Sequence, residues 1–190
     1  MAKVYLFLAE GFEEIEGLTV VDLLRRAGID ITMVSISGDR KVTGSHQITT
    51  IADALFEEVD YSDADMLVLP GGMPGTLHLQ EHEGLDGLLR DFAVRNKSIA
   101  AICAAPRVLG SKGLLEGKKA TCYPGHEDQL LGAYVMNTAV VQDGNITTSK
   151  GMGTSIDFSL SLISMLRGAE EAKRIAQSIQ YEHYNISSEE

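Results

Sequence analysis

The 190-residue sequence has few cysteines, few basic side chains and no long hydrophobic run. Its two cysteines, Cys103 and Cys122, form neither a Cys-x-x-Cys pair nor a disulfide framework, which favours a reducing compartment. Sixteen Lys and Arg against 27 Asp and Glu give a net charge of −11, which argues against tight binding to nucleic acid or anionic membranes. The first apolar stretch ends at Glu10, too soon for a signal peptide or a membrane span. We therefore expect a cytoplasmic protein without membrane or nucleic-acid partners.

The chain is expected to form a single domain. It is long enough to bury one core, 44% of its residues are hydrophobic, and it contains no repeat or low-complexity linker. We assign residues 1–184 to this domain and residues 185–190 to a polar C-terminal tail.

Apolar runs alternate with amphipathic segments along the chain. Three short apolar runs without polar alternation predict buried strands, at residues 4–8, 66–69 and 99–102, and residues 31–36 are predicted as a further strand. Helical spacing predicts helices in three longer segments, residues 13–27, 153–166 and 169–181. Turn residues predict hairpins in two segments, residues 42–50 and 139–148. This alternation is typical of an α/β fold with a mostly parallel sheet between helices, where ligands bind at the carboxyl ends of strands.

Cys103 directly follows one of these buried strands, and Pro106 then suits the first turn of a helix. A thiol between a strand end and a helix N-terminus lies near unpaired N–H groups and the positive end of the helix dipole, which favour thiolate. Free cysteine is more commonly packed as a small hydrophobe, so position alone leaves both interpretations open.

Two consecutive glycines, Gly71 and Gly72, follow the strand at residues 66–69. Without side chains, their N–H groups can approach a ligand closely, as an oxyanion-binding site requires. A simple turn is the alternative explanation.

Three carboxylates, Glu13, Glu14 and Glu16, open the first predicted helix, where they complement the helix dipole. The spacing places Ile15 and Leu18 on the core, which would turn Glu16 towards the cleft at the sheet edge. Burial there would raise its pKa, so that the protonated carboxyl could hydrogen-bond a thiolate and the ionised form could abstract a proton.

Five segments together carry a resemblance to a known family: residues 10–16, 22–28, 69–72, 100–106 and 148–154. In this order they resemble the ThiJ/PfpI superfamily, most closely its Parkinsonism-associated deglycase branch, as a bacterial homologue. The resemblance covers essentially the whole chain. It implies a flavodoxin-like three-layer sandwich, a homodimer and chemistry without a metal or other cofactor.

The resemblance also implies roles for individual residues. Cys103 matches the nucleophile-elbow cysteine, and Glu16 matches its acidic partner. Gly72 and Ala104 match the backbone donors that face a bound oxyanion, and Arg26 matches an arginine near the dimer contact.

Two positions depart from related branches. Ala104 stands where peptidase-like members have histidine after the nucleophile, which argues against a protease. Tyr123 stands where human-type members have histidine before a proline, and a tyrosine hydroxyl binds ligands but is a poor base near neutral pH. Acid–base chemistry is therefore assigned to Glu16, with His126 as an alternative that is more commonly a solvated loop residue.

Three further side chains have ordinary structural explanations as well as functional ones. Cys122 could be a resolving thiol or a packed structural one. His78 and His82 have the i, i+4 spacing of a metal pair, but no third ligand is evident and surface placement is the simpler interpretation.

The leading functional hypothesis is a cofactor-independent enzyme that converts methylglyoxal or glycation adducts to hydroxy acids, in the manner of a glyoxalase or deglycase. Cys103 would be the nucleophile and Glu16 the proton shuttle, with Gly71, Gly72 and Tyr123 contacting substrate. The alternatives are an oxidative-stress sensor whose cysteine becomes sulfinic acid, and a redox-regulated chaperone.

Overall fold

The structure, a computed structural model, describes residues 2–182. The strands within this range are β1 (Lys3–Leu8), β2 (Asp30–Ser35), β3 (Lys41–Thr43), β4 (Thr49–Ile51), β5 (Ala54–Leu55), β6 (Met66–Leu69), β7 (Ser98–Ile102), β8 (Lys119–Ala120), β9 (Tyr134–Val135), β10 (Val140–Asp143) and β11 (Ile146–Ser149). The α-helices are α1 (Glu14–Arg26), α2 (Gly75–Glu81), α3 (Glu83–Val94), α4 (Pro106–Ser111), α5 (Ser155–Arg167) and α6 (Ala169–Ser178). The predicted tail, residues 185–190, lies outside the described residues.

Seven strands form the central sheet, in the order β10-β11-β7-β6-β1-β2-β5. Every neighbouring pair is parallel except β10 and β11, which are antiparallel. The β10–β11 hairpin and the separate antiparallel β3–β4 hairpin confirm both predicted turns. The mostly parallel sheet confirms the predicted fold class.

Both faces of the sheet are covered by helices. Alternate residues of β1 point to opposite faces, as a strand requires. Leu6 belongs to one buried cluster with Leu24 of α1 and Phe158 of α5. Phe7 belongs to the other, with Leu89 of α3. The molecule therefore has the predicted three layers. Among the described residues, no helix combines the length and hydrophobicity needed to cross a membrane.

Helix α1 lies on the core in a different rotation from the predicted one. Ile15 is 48% exposed, Leu18 is half-buried, and Glu16 is fully buried. A Cβ at Gly17 would lie 3.2 Å from the Phe12 ring, so the helix approaches the core most closely where a side chain is missing. The predicted core contact of Ile15 was wrong, because the buried face of α1 is formed instead by Gly17, Val20 and Leu24 together with the buried Glu16.

Three neighbouring parallel strands, β1, β6 and β7, end at the same edge of the sheet. The residues that follow them are the start of α1, the Gly71–Gly72 segment and Cys103. The topology thus brings together the three strand ends that carry the predicted chemistry.

Candidate active site

Cys103 occupies a strained turn between β7 and α4. Its φ is +65°, in the left-handed region that side-chain-bearing residues rarely adopt. Its N–H donates to the Ser149 carbonyl at 2.9 Å, and its own carbonyl accepts from the Tyr123 N–H at 2.8 Å. The Ala105 N–H closes the turn onto the Ile102 carbonyl at 3.0 Å. Hydrogen bonds from two other segments thus hold the strained residue, whose thiol remains partly exposed.

The Gly71–Gly72 segment packs directly against this cysteine. Backbone N–H groups of Ala104 and Gly72 hydrogen-bond the sulfur of Cys103. Gly72 has a φ of +92°, and a Cβ there would lie 2.6 Å from the Gly11 carbonyl oxygen. Only glycine fits this position. Because it has no side chain, the N–H groups of Gly72 and Ala104 can converge on the sulfur, where negative charge would form.

Glu16 is the buried acidic neighbour of the thiol. Its Oε2 accepts a hydrogen bond from the Gly71 N–H at 2.8 Å, and its carboxyl also hydrogen-bonds Cys103. A Cβ at Gly71 would lie 2.6 Å from that Oε2 and 2.7 Å from the Cys103 Cβ, so the contact requires glycine. The second oxygen, Oε1, is buried and has no hydrogen-bond partner among the described residues.

Burial raises the pKa of the Glu16 carboxyl to about 7, although hydrogen bonds from Cys103 and the Gly71 N–H oppose the rise. The predicted rise is confirmed. Burial also raises the pKa of the Cys103 thiol, and the charge of an ionised Glu16 raises it further, while the amides of Ala104 and Gly72 lower it. From the sequence, the helix N-terminus and nearby N–H groups were expected to lower the pKa of this thiol. That direction was wrong, because burial of the thiol raises its pKa. The two groups together hold at least one proton near neutral pH.

An aromatic ring and a fourth strand end complete the site. A Cβ at Gly151, after β11, would lie 3.2 Å from the Tyr123 ring and 3.8 Å from the Cys103 sulfur. Tyr123 is 51% exposed, and His126 packs edge-on against it with ring centroids 6.1 Å apart. Gly151 was not singled out from the sequence, although its place after a strand of the same sheet was the signal that would have found it.

The remaining candidates lie in other settings. Arg26 donates to Asp22 at 2.7 Å on the exposed side of α1. Both cysteines are free, and burial raises the pKa of Cys122, which is 3% exposed, to about 11. Such a thiol is poorly suited to act as a resolving partner.

Among the residues that the structure describes, one group has potential metal ligands close together: Glu13, Glu14 and His46, with ligand atoms within 4.8 Å of one another. The His46 Nδ1 lies 3.1 Å from a Glu14 oxygen and 3.3 Å from a Glu13 oxygen. These hydrogen-bonding distances account for the cluster without an ion.

Comparison with known proteins shows to which protein family the chain is related. The family model described as the DJ-1/PfpI family matches residues 2–165. The chain belongs to the DJ-1/PfpI family. Drosophila melanogaster protein dj-1beta is 38% identical over 90% of this chain and 93% of its own length. Protein DJ-1 homolog B of Arabidopsis thaliana is also 38% identical over 92% of this chain, but the chain spans only 40% of that longer protein.

A more distant DJ-1/PfpI relative from Pyrococcus abyssi, named a deglycase, is 32% identical over 87% of this chain and 99% of its own length. Among solved structures, oxidized Toxoplasma gondii DJ-1 superposes with a TM-score of 0.93 at 36% identity, covering 96% of this chain and all of that one. The resemblance found in the sequence motifs is confirmed. The predicted bacterial source is not tested by these comparisons.

Proposed function

We propose that this DJ-1/PfpI protein is a cofactor-independent cysteine enzyme that converts reactive carbonyl compounds, such as methylglyoxal or early glycation adducts, to hydroxy acids. The observation that carries the proposal is the pairing of Cys103, on a strained turn, with the buried Glu16, whose pKa is about 7. A carboxyl with this pKa can both donate and accept a proton near neutrality. The name of the Pyrococcus abyssi relative supports deglycase-type chemistry.

In the first step, the Glu16 carboxylate accepts the proton of the Cys103 thiol while the sulfur attacks the aldehyde carbon and forms a carbon–sulfur bond. The carbonyl electrons move to oxygen, where the amides of Gly72 and Ala104 would stabilise the charge. Glu16 then transfers the proton of the pair to this oxygen, which gives a hemithioacetal and leaves the carboxylate ionised.

In the second step, the Glu16 carboxylate removes the hydrogen from the sulfur-bearing carbon and passes it to the adjacent carbonyl oxygen, which gives an enediol. Glu16 then takes the proton of the hydroxyl on the sulfur-bearing carbon and delivers it to the adjacent carbon. The aldehyde carbon is oxidised to a thioester while its neighbour is reduced to an alcohol, so no external oxidant is required. Water then hydrolyses the thioester, releasing lactate from methylglyoxal and restoring the thiol. From a glycation adduct, the amine or thiol leaves as well.

The test is methylglyoxal turnover, with lactate measured by chromatography. Cys103→Ser and Glu16→Gln are each expected to lower turnover at least about a hundredfold, because one removes the nucleophile and the other the proton shuttle. Cys122→Ser is the matched control and should retain turnover, since that thiol is buried. Wild-type activity in either active-site variant would sink the proposal.

A second candidate function is oxidation sensing, favoured by the buried Oε1 of Glu16, which has no hydrogen-bond partner within residues 2–182, and by the oxidized form of the Toxoplasma relative. Thiolate would reduce one peroxide to water and become sulfenate, and a second peroxide would give sulfinate, held by a hydrogen bond from protonated Glu16. Mild peroxide should then add two oxygens at Cys103 only. Equal oxidation of Cys122, measured by mass spectrometry, would contradict this function.

We also propose a homodimer and a cytoplasmic location. Ile15 and Ile48 are 48% and 54% exposed, and the Ile48 N–H donates to Glu14, the residue before Ile15, at 3.3 Å. An exposed apolar pair supports self-association. Analytical ultracentrifugation should find a dimer for the wild type and a monomer for Ile15→Glu, while an unchanged dimer in the variant would place the contact elsewhere.

A further inference from the structure

A second groove opens at the carboxyl ends of β1 and β2, and neither Cys103 nor Glu16 lines it. It encloses about 380 Å³, and its walls include Ala9, Glu10, Ile36, His78, Glu81 and His82. This volume lies within the range of small-molecule sites, and strand carboxyl ends are where ligands bind in open α/β sheets.

The two histidines of the groove have defined tautomers. His78 Nδ1 lies 2.9 Å from the Glu10 carbonyl oxygen, which can only accept, so Nδ1 carries the hydrogen. In the neutral ring, its Nε2 is then a free acceptor. His82 Nδ1 instead accepts from the Leu85 N–H at 3.0 Å, so the proton of that neutral ring lies on Nε2.

Acceptors outnumber donors among the polar groups of this groove. The exposed carboxylates of Glu10 and Glu81 and the Nε2 of His78 can all accept hydrogen bonds. His82 Nε2 is a donor, and the Ser37 hydroxyl lies within donating distance of the Asp39 carbonyl, at 3.3 Å. Glu10 uses Oε1 to accept from the Thr43 N–H at 3.1 Å and retains a second oxygen. In the part of the chain that the structure describes, no lysine or arginine lines the groove. Its charge and hydrogen-bonding capacity therefore complement a cation rich in donors.

We propose that this groove binds a guanidinium group carried on an aliphatic chain, as in an arginine side chain presented by a peptide. A guanidinium has five N–H donors and no acceptor, and it pairs with carboxylates in a planar, two-bond geometry. The aliphatic stem would pack along Ala9 and Ile36, as long cationic side chains do on apolar surface. This binding uses no chemistry of Cys103, so it is independent of the proposed reaction.

The experiment is NMR titration of the full-length wild-type protein with Nα-acetyl-arginine methylamide at low ionic strength. We expect saturable shifts confined to the backbone around Ala9, Ile36, His78 and His82. The citrulline analogue, which has the same shape without the charge, should not bind. The lysine analogue should bind more weakly, and equal or tighter binding of lysine would overturn the guanidinium assignment.

Charge-removing variants complete the test. The double variant Glu10→Gln/Glu81→Gln should bind the arginine analogue at least about threefold more weakly, because two exposed ion pairs are lost. Glu170→Gln, which removes an exposed carboxylate on α6, is the control and should bind as the wild type does. Equal affinity of the double variant and the control, equal binding of citrulline, or shifts elsewhere on the protein would overturn the proposal.

Discussion

Replacing Glu16 by glutamine should change the way that the stability of the protein depends on pH. Folding raises the pKa of Glu16 from an ordinary value of 4.5 to about 7, chiefly through burial. Between these values the folded protein retains a proton that the unfolded chain has lost, so the free energy of unfolding must fall as pH rises. Glutamine has nearly the same shape and no charge, so this dependence disappears in Glu16→Gln.

The size of the effect follows from the same pKa values. A rise from 4.5 to about 7 corresponds to roughly 3 kcal/mol of stability that is present below pH 4.5 and lost above pH 7. The wild type should therefore lose about 3 kcal/mol relative to Glu16→Gln between pH 4.5 and pH 8. The comparison with the variant cancels the contributions of other titrating groups, because they are common to both proteins.

Urea unfolding followed by circular dichroism, at half-unit steps from pH 4.5 to pH 8, measures this difference. The slope against urea should stay equal in the two proteins, so that a shift in midpoint reports stability alone. Repeating both series in a Cys103→Ser background tests whether the thiol contributes. A stability difference that stays constant across this pH range would refute the claim that Glu16 is a buried carboxyl with a raised pKa.

Three further predictions concern the residues around this carboxyl. Gly72→Ala should lower the free energy of unfolding by about 3 kcal/mol or more, because the backbone there is left-handed and the added Cβ would clash with the neighbouring main chain. The control Gly87→Ala, in open space on α3, should instead stabilise the protein by about 0.5–1 kcal/mol in the same urea assay. Alkylation of Cys103 by iodoacetamide should stay slow near neutral pH and rise only at alkaline pH, and Glu16→Gln should move this rise to lower pH, because the charge of ionised Glu16 raises the pKa of the thiol; superimposable profiles would contradict this coupling. Tyr123→Phe should retain methylglyoxal turnover within about threefold, since a tyrosine hydroxyl is a poor base near neutrality, and a hundredfold loss would assign it an acid–base role.

The positions of the strands, and of the reactive residues that follow them, were predictable because they depend on local sequence patterns. The runs at residues 4–8, 66–69 and 99–102 are apolar throughout, and only strands buried on both faces need that. Once these strands lie side by side and parallel, Glu16 and Cys103 are brought to one edge by topology alone.

The features that were missed depend on distances between segments. The rotation of α1 buries Glu16 and Gly17 and leaves Ile15 48% exposed, which the apolar periodicity of the helix does not indicate. Likewise, the pKa of Cys103 depends on burial by segments distant in sequence, so a helix N-terminus alone indicated the wrong direction. Gly151 could have been noticed as a residue that follows a strand of the same sheet, but its closeness to Tyr123 and the thiol is seen only in the folded chain.

The hydrogen bond between the Gly71 N–H and Glu16 joins residues that are 55 positions apart in the chain. Contacts of such large sequence separation form late, because the intervening chain must first be ordered. The pair formed by Glu16 and Cys103 therefore cannot exist in a partly folded molecule that has formed its helices but not the pairing of β1 with β6. Recovery of thiol reactivity during refolding would consequently follow the assembly of the centre of the sheet. Measuring that reactivity would report when the central strands have paired.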